Sequence, residues 1–210
     1  IKRKEYAMDL FQKCHDFTDA VALREQGAYP YFIPLDKNEG TEVIYEGRRI
    51  IMCGSNNYLG LTTHPKVRQA AINAITEYGT SCTGSRFLNG NMTIIEDLEK
   101  ELAAWVGKEA ALVFSTGMQT NLGTISALVG KDDIIIMDKE DHASIVDGAF
   151  LSGGKIERFR HNDMDHLERV LKSLPEEKGK LLVVDGLFSM EGDIAPLPRM
   201  VELCEAYNVR

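Results

Sequence analysis

The chain has 210 residues, 44% hydrophobic and 27% charged, with a formal net charge of −8. That length and hydrophobic fraction suit one large domain or one and a half typical ones with a sizeable core. The negative balance repels phosphate backbones, which argues against nucleic-acid binding, and no apolar run approaches the roughly 20 residues that span a bilayer.

Residues 3–26 mix charged and apolar residues and predict an amphipathic helix. The stretch GAYPYFIPLDKNEG (27–40) reads as a Gly/Pro/aromatic connector. TEVIYEGRRIIMC (41–53) alternates around Glu46-Gly47, a hairpin signal. SNNYLGLTTHP (55–65) reads as a loop, with Thr63 and Pro65 marking a helix start and Val67, Ala70, Ala71 and Ala74 supplying its apolar side. After the Gly-rich loop GTSCTGSRFLNGN (79–91), Thr93 and Glu96 have capping-box spacing. Ile94, Leu98, Leu102 and Trp105 then recur at helical spacing, and Gly107 ends the helix.

From residue 110 the rhythm changes. AALVFS (110–115), DIIIM (133–137), IERF (156–159) and LLVV (181–184) are short apolar runs, separated by helical patterns over 118–129, 143–152 and 164–174. A last helix is expected near 197–207. Strands alternating with helices predict βαβ units around a parallel sheet, whose strands look continuously apolar because both faces are covered. The first residue is Ile1, and the last expected helix should lead into another strand, so the sequence reads as a piece of something longer. No signal peptide is visible. Cys14, Cys53, Cys82 and Cys204 form no C-x-x-C pair, which argues against zinc ribbons and thioredoxin-like chemistry and fits a reducing cytoplasm.

Ligands of open parallel sheets bind beyond the carboxyl ends of the strands. Three such ends carry polar chemistry. Ser115-Thr116-Gly117-Met118 leads into a helix and could cradle a phosphate on free helix N–H groups. Asp138 to His142 follows the second run. His142 could simply cap the helix that starts there. Asp185 to Met190 follows the fourth run. Its G-x-x-S-x-x-G spacing around Ser189 is not a nucleophile elbow. A P-loop and a G-x-G-x-x-G turn are both absent. In HNDMDH (161–166) a metal site is conceivable, but Asp163 as a helix cap explains the pattern more economically. Arg86, between the glycines of GSRFLNG, could meet a carboxylate or a phosphate, or be a surface residue of a structural turn.

Taken together, NNYLGL (56–61), GSRFLNG (84–90), LEKELAAWVGKEAALVFSTGMQTNLG (98–123), DHASIVDG (141–148), HNDMDHLE (161–168) and DGLFSMEGDIAPL (185–197) resemble the α-oxoamine synthases. These are fold-type-I enzymes dependent on pyridoxal 5′-phosphate (PLP). Three of the motifs, GSRFLNG, STGMQTNLG and HASIVDG, most resemble the soluble bacterial serine palmitoyltransferases. The resemblance implies an α/β fold: a mainly parallel sheet flanked by helices, with residues 1–55 as an N-terminal helix, connector and hairpin and 56–210 as the first part of the large PLP-binding domain. It implies a decarboxylating condensation of L-serine with a long-chain acyl-CoA to give 3-ketodihydrosphingosine. It also implies a cytoplasmic homodimer, with possible association at a membrane surface through the lipid product, and no metal.

By residue, the resemblance implies that His142 stacks on the PLP ring and binds the amino-acid carboxylate. Gly117 and Met118 would lie beside the phosphate, Ser189 near the ring edge, and Asn57 near the substrate. Two positions depart from the family: Met118 replaces a residue that is usually aromatic, and Ile95 replaces one that is often histidine. The family's D-x-A-H strand and cofactor-binding lysine would lie past Arg210, so the 210 residues alone are expected to be inactive. Another amino acid or acyl donor within the family (glycine C-acetyltransferase or 8-amino-7-oxononanoate synthase), or a non-catalytic subunit of the same fold, remain open alternatives.

Overall fold

A computed structural model describes residues 9–38 and 40–210. The chain divides into two compact units, 1–82 and 83–210.

In the first unit the described part of the expected N-terminal helix is two short helices, α1 (Gln12–Asp16) and α2 (Asp19–Glu25), with residues 3–8 outside the described set. Phe17 between them is extended (φ −77°, ψ 95°), and neither helix buries a residue. Helices of this length are marginal without a buried face, so the break at Phe17-Thr18-Asp19 has nothing to oppose it. The hairpin forms where predicted. Strands β1 (Lys37–Asn38), β2 (Glu42–Tyr45) and β3 (Arg48–Ile51) make an antiparallel sheet in which Tyr45 faces Arg48. Glu46 and Gly47 both have positive φ (48° and 72°), which is the two-residue turn that matches strand twist. Helix α3 (Pro65–Tyr78) opens with Pro65 in its first turn. His64, rather than Thr63, caps it by accepting from Lys66 N at 3.2 Å, and Gly79 (φ 79°) ends it.

The second unit starts with α4 (Thr93–Val106). Met92 occupies the cap position without a side-chain bond, so the capping box expected from Thr93 and Glu96 does not form. Glu96 instead accepts from Asn91 Nδ2 at 2.7 Å. Gly107 closes the helix in the left-handed conformation that glycine tolerates (φ 67°). The strand expected over 110–115 is absent. Val113 gives its N–H to Glu99 Oε1 (2.8 Å) and its carbonyl to Arg86 Nη1 (3.1 Å), so side chains take the main-chain groups a ladder would use.

Beyond this point the alternation is as predicted: α5 (Gly117–Leu128), β4 (Ile134–Asp138), α6 (Ala143–Ser152), β5 (Lys155–Phe159), α7 (Met164–Lys172), β6 (Lys180–Val183) and α8 (Leu197–Ala206). The three strands are parallel in the order β5-β4-β6, with Ile135 level with Ile156 and Leu181. All five residues of β4 are buried, as a central strand requires. Its side chains alternate between two cores. Ile134 and Ile136 join Phe159, Leu167, Leu171, Phe188, Met200 and Leu203, from the side covered by α7 and α8. Ile135 and Met137 join Ile125, Val129, Ile145 and Ala149, from α5 and α6. Each such side chain, fully buried, contributes about 1.5–3 kcal/mol before entropy is counted. The sheet ends therefore stand on a rigid base, with β4 in the middle.

Candidate functional site

The carboxyl ends of β4 and β6, together with the α5–α6 contact, lie within one hydrogen-bonded network. Thr116 caps α5: its Oγ1 accepts from Gln119 N (3.1 Å) and its carbonyl accepts from Thr120 N (3.0 Å). Gly117 and Met118 follow, and their N–H groups have no acceptor among the described residues. Met118 is half exposed, and a Cβ at Gly117 would meet nothing within 4 Å. The space over this helix end is open, and its free N–H groups suit an anion.

One turn further, Asn121 Nδ2 donates to Ser144 Oγ at 2.8 Å. Ser144 lies in the first turn of α6. The His142 ring caps that helix: Nδ1 accepts from Ser144 N (3.2 Å) and lies 2.8 Å from Ser144 Oγ. A ring nitrogen that accepts a backbone N–H carries no proton of its own, so the neutral ring presents its Nε2–H outward. The helix-cap role is therefore real, and it uses only one edge of an exposed ring. The ring's Nε2 has no hydrogen-bond partner among the described residues.

The main chain of His142 is fixed from the other side. Its N–H donates to Asp185 Oδ2 at 2.8 Å, and Asp185 N donates to Asp141 Oδ1 at 3.0 Å. Asp141 Oδ2 accepts from Asp138 N at 2.7 Å. The tip after β4 and the tip after β6 thus hold each other through two bonds, His142 N–H to Asp185 and Asp185 N–H to Asp141, and the Asp138 amide ties Asp141 back to the end of β4. Asp141 is buried, faces no cation, and lies near Asp138 and Asp185. Burial, reinforced by those two acids, pushes its carboxyl up to about 7 from an ordinary 3.8, although the amides of Asp185 and Asp138 pull the other way.

Ser189 sits in the β6 tip beside the buried Phe188. It is exposed, with no hydrogen-bond partner among the described residues. Asn57 belongs to the first unit. Its side-chain oxygen accepts from Thr62 N at 3.4 Å, and it lines a concavity with Ser55, Tyr58, Leu59 and Arg68. Asp163 caps α7 through His166 N (2.7 Å), and His166 Nδ1 accepts from Arg160 N (2.9 Å). No group of three or more potential ligands among the described residues is arranged to hold a metal ion. Arg86 grips a carboxylate of its own unit. Its Nη1 and Nη2 meet Glu99 Oε1 and Oε2 at 2.6 and 3.0 Å, and the Glu99 carboxyl is held down at about 2 by that fork and by the Val113 amide.

Sequence reasoning missed Asp138, Ser144 and Asn121 as supports of the site. An aspartate flush with the end of an apolar run, in IIIMD, was the available signal for the first. Asn121 and Ser144 lie inside STGMQTNLG and HASIVDG, two motifs that carry the resemblance, but nothing in the chain signals their pairing across 23 residues.

The chain matches the aminotransferase class I and II family over residues 48–210. It is 49% identical over 199 residues to the serine palmitoyltransferase of Sphingobacterium spiritivorum, which covers 95% of this chain and 50% of that protein. It is 46% identical over 186 residues to the 8-amino-7-oxononanoate synthase of Geobacter sulfurreducens, covering 89% of this chain and 48% of that one. Among solved structures, the serine palmitoyltransferase from S. paucimobilis with bound PLP–myriocin aldimine superposes with a TM-score of 0.92 at 38% identity, covering 96% of this chain and 52% of that one. The serine palmitoyltransferase of Sphingomonas wittichii gives 0.88 at 42% identity, covering 96% and 51%. The chain spans about half the length of these relatives and shares the fold-type-I transferase architecture over that part.

Proposed function

We propose a function on one premise: the chain belongs to the aminotransferase class I and II family. The whole protein is a PLP-dependent acyltransferase that joins L-serine to a long-chain acyl-CoA, with loss of CO₂ and CoA, to give 3-ketodihydrosphingosine. The supporting observation is the exposed His142 ring, which caps α6 through Ser144 N while the main-chain N–H of His142 is held by Asp185, at the start of the β6 tip that also carries Ser189. These residues fit PLP: an aromatic face for its ring, free amides for its phosphate, and a polar tip at its edge.

When bound, PLP supplies an electron sink for the carbanion left by decarboxylation. The chain's own residues bind and orient. Gly117 and Met118 hold the phosphate through main-chain N–H groups. With PLP bound, His142 would lie against its ring and offer Nε2–H to the serine carboxylate, and Ser189 would border the ring. Asn57 lines the substrate approach. In this reading 1–55 form the arm and 56–210 the start of the large domain of a cytoplasmic homodimer. The lysine that tethers the cofactor lies in the part of the relatives' length that this chain does not span. No helix among the described residues is long and apolar enough to cross a membrane.

Two measurements on the full-length protein test the reading. Serine, and not glycine, should shift the absorption of the PLP-loaded protein; a shift with glycine alone overturns the serine assignment. Replacing His142 by alanine should weaken PLP retention about tenfold or more, as loss of a stacked and hydrogen-bonded ring implies. Unchanged absorbance and turnover would leave His142 as a helix cap only.

A further inference from the structure

A second histidine cluster lies beside the strand tips, and the proposed function does not use it. His161 follows β5. Its Nδ1 is 2.9 Å from Asp138 Oδ1, and its Nε2 is 3.0 Å from Asp193 Oδ2 and 3.2 Å from Oδ1. Both partners are carboxylates. A neutral imidazole has one N–H, so it could donate to one acid and would press a lone pair on the other. Both contacts are good only when the ring carries two protons. Asp138 is fully buried, and its oxygens also accept from Glu140 N (2.9 Å) and Asn162 N (3.0 Å), a donor set that suits an anion. The Phe188 and His161 rings pack edge to face, with centroids 4.5 Å apart at 87°.

The same turn is tied twice more. Asn162 adopts a left-handed conformation (φ 50°), uncommon outside glycine, while its N–H is held by Asp138 and its Nδ2 reaches Asp193 Oδ2 at 3.0 Å. Asp193 ends the β6 tip, the loop 186–193. Inside that loop the main-chain bonds are few: Phe188 N to Asp193 O and Gly192 N to Phe188 O, each 2.9 Å, with Leu187 bridging Ile194.

We propose that His161 is a positioning residue: held as an imidazolium between Asp138 and Asp193, it clamps the loop 186–193, and with it Ser189, onto the carboxyl ends of β4 and β5. The clamp stands on geometry alone; its consequence for the cofactor, through Ser189, rests on the function proposed above.

The charged groups facing the ring are Asp138 from β4 and Asp193 from the loop. On its own turn Arg160 is engaged with Asp163. The hydrogen bond to Asp138, then that to Asp193, raise the His161 pKa above the ordinary 6.5, against the opposing effect of partial burial. The clamp is therefore complete below 6.5 and is lost as pH rises through the raised value.

The test is a pH titration of the His161 ring nitrogens by nitrogen-15 NMR in the full-length protein, with hydrogen exchange of the Phe188 and Gly192 amides. Two ring protons at neutral pH, and a midpoint above that of an ordinary histidine, are expected. Asp193→Asn should bring the midpoint down and speed exchange at both amides about tenfold, the local cost of losing one charge-assisted bond. A neutral ring at pH 7 in the wild-type protein overturns the proposal, and so does an Asp193→Asn variant with unchanged midpoint and exchange. Neither measurement needs PLP. An intact clamp in a protein that fails to bind PLP would sink the function while leaving this inference standing.

Discussion

Glu99 and Asp141 are both acids largely withdrawn from water, in different parts of the second unit, and they are stabilised by opposite means. Glu99 sits at the junction of α4 with the Gly-rich loop. It meets a guanidinium fork and an amide, and its carboxyl is held down at about 2. Asp141 sits among the strand tips. It meets amides alone, with two other carboxylates nearby, and burial pushes it up to about 7. A cation-paired acid stays ionised at any physiological pH and serves as a lock. An acid held only by N–H groups in an acidic neighbourhood titrates near neutrality. The contrast shows that partners set the charge of each acid: a guanidinium fixes Glu99 as an anion, while burial favours the neutral form of Asp141.

Removing the Asp141 side chain should have the largest effect on this contrast. Asp141→Ala leaves Asp138 N and Asp185 N without acceptors, which should cost about 2–3 kcal/mol, read from urea unfolding. A loss below about 0.5 kcal/mol would mean that the two tips do not depend on that carboxylate.

Next comes the α5–α6 contact that carries Asn121 to Ser144. A Cβ at Gly148 would meet the Asn121 carbonyl at 3.1 Å and Ile125 at 3.1–3.2 Å. Gly148→Ala should destabilise by about 1 kcal/mol net, overpacking outweighing the gain in helix propensity. The same variant should loosen the Asn121–Ser144 bond, visible as faster exchange of the Ser144 amide.

The remaining effects are in pH dependence, and they have opposite signs. Glu99 binds protons less readily in the folded chain. Its contribution is present above 4.5 and is lost as pH falls towards 2. Asp141 binds them more readily when folded. Its contribution is complete below 3.8 and is lost as pH rises through about 7. Stability measured against pH should therefore lose part of its acid-side fall in Glu99→Gln, where Asp163 and Glu168 still contribute, and part of its fall between about 4 and 7 in Asp141→Asn. Identical curves for wild type and both variants would erase the distinction drawn between the two regions.

Much of this molecule was legible in the chain. The helix over 143–152 and the run that became β4 show openly in the chain, the latter because a central parallel strand must be apolar on both faces. Glu46-Gly47 named its turn, since few residue pairs accept two left-handed conformations in succession. Other features were not legible. The apolar run 110–115 looks like a strand, but whether it pairs depends on which partners take its amides, and Arg86 and Glu99 take those of Val113. Thr93 and Glu96 have the spacing of a capping box, but Asn91 claims the glutamate first.

The site divides in the same way. His142 could be singled out because a ring at a strand-to-helix handover is rare enough to need a reason. Asp138, Asp141, Asp185, His161 and Asp193 read as separate loop residues. Their meaning comes from which acid faces which amide or ring across 23 to 44 residues of chain. By itself the sequence determined periodicity, turn chemistry and the order of the elements, because those are set by neighbours within a few residues. Only the tertiary structure decided charge states and partners: the energy of a buried carboxylate depends on what lies within a few ångströms of it, whatever its distance along the chain.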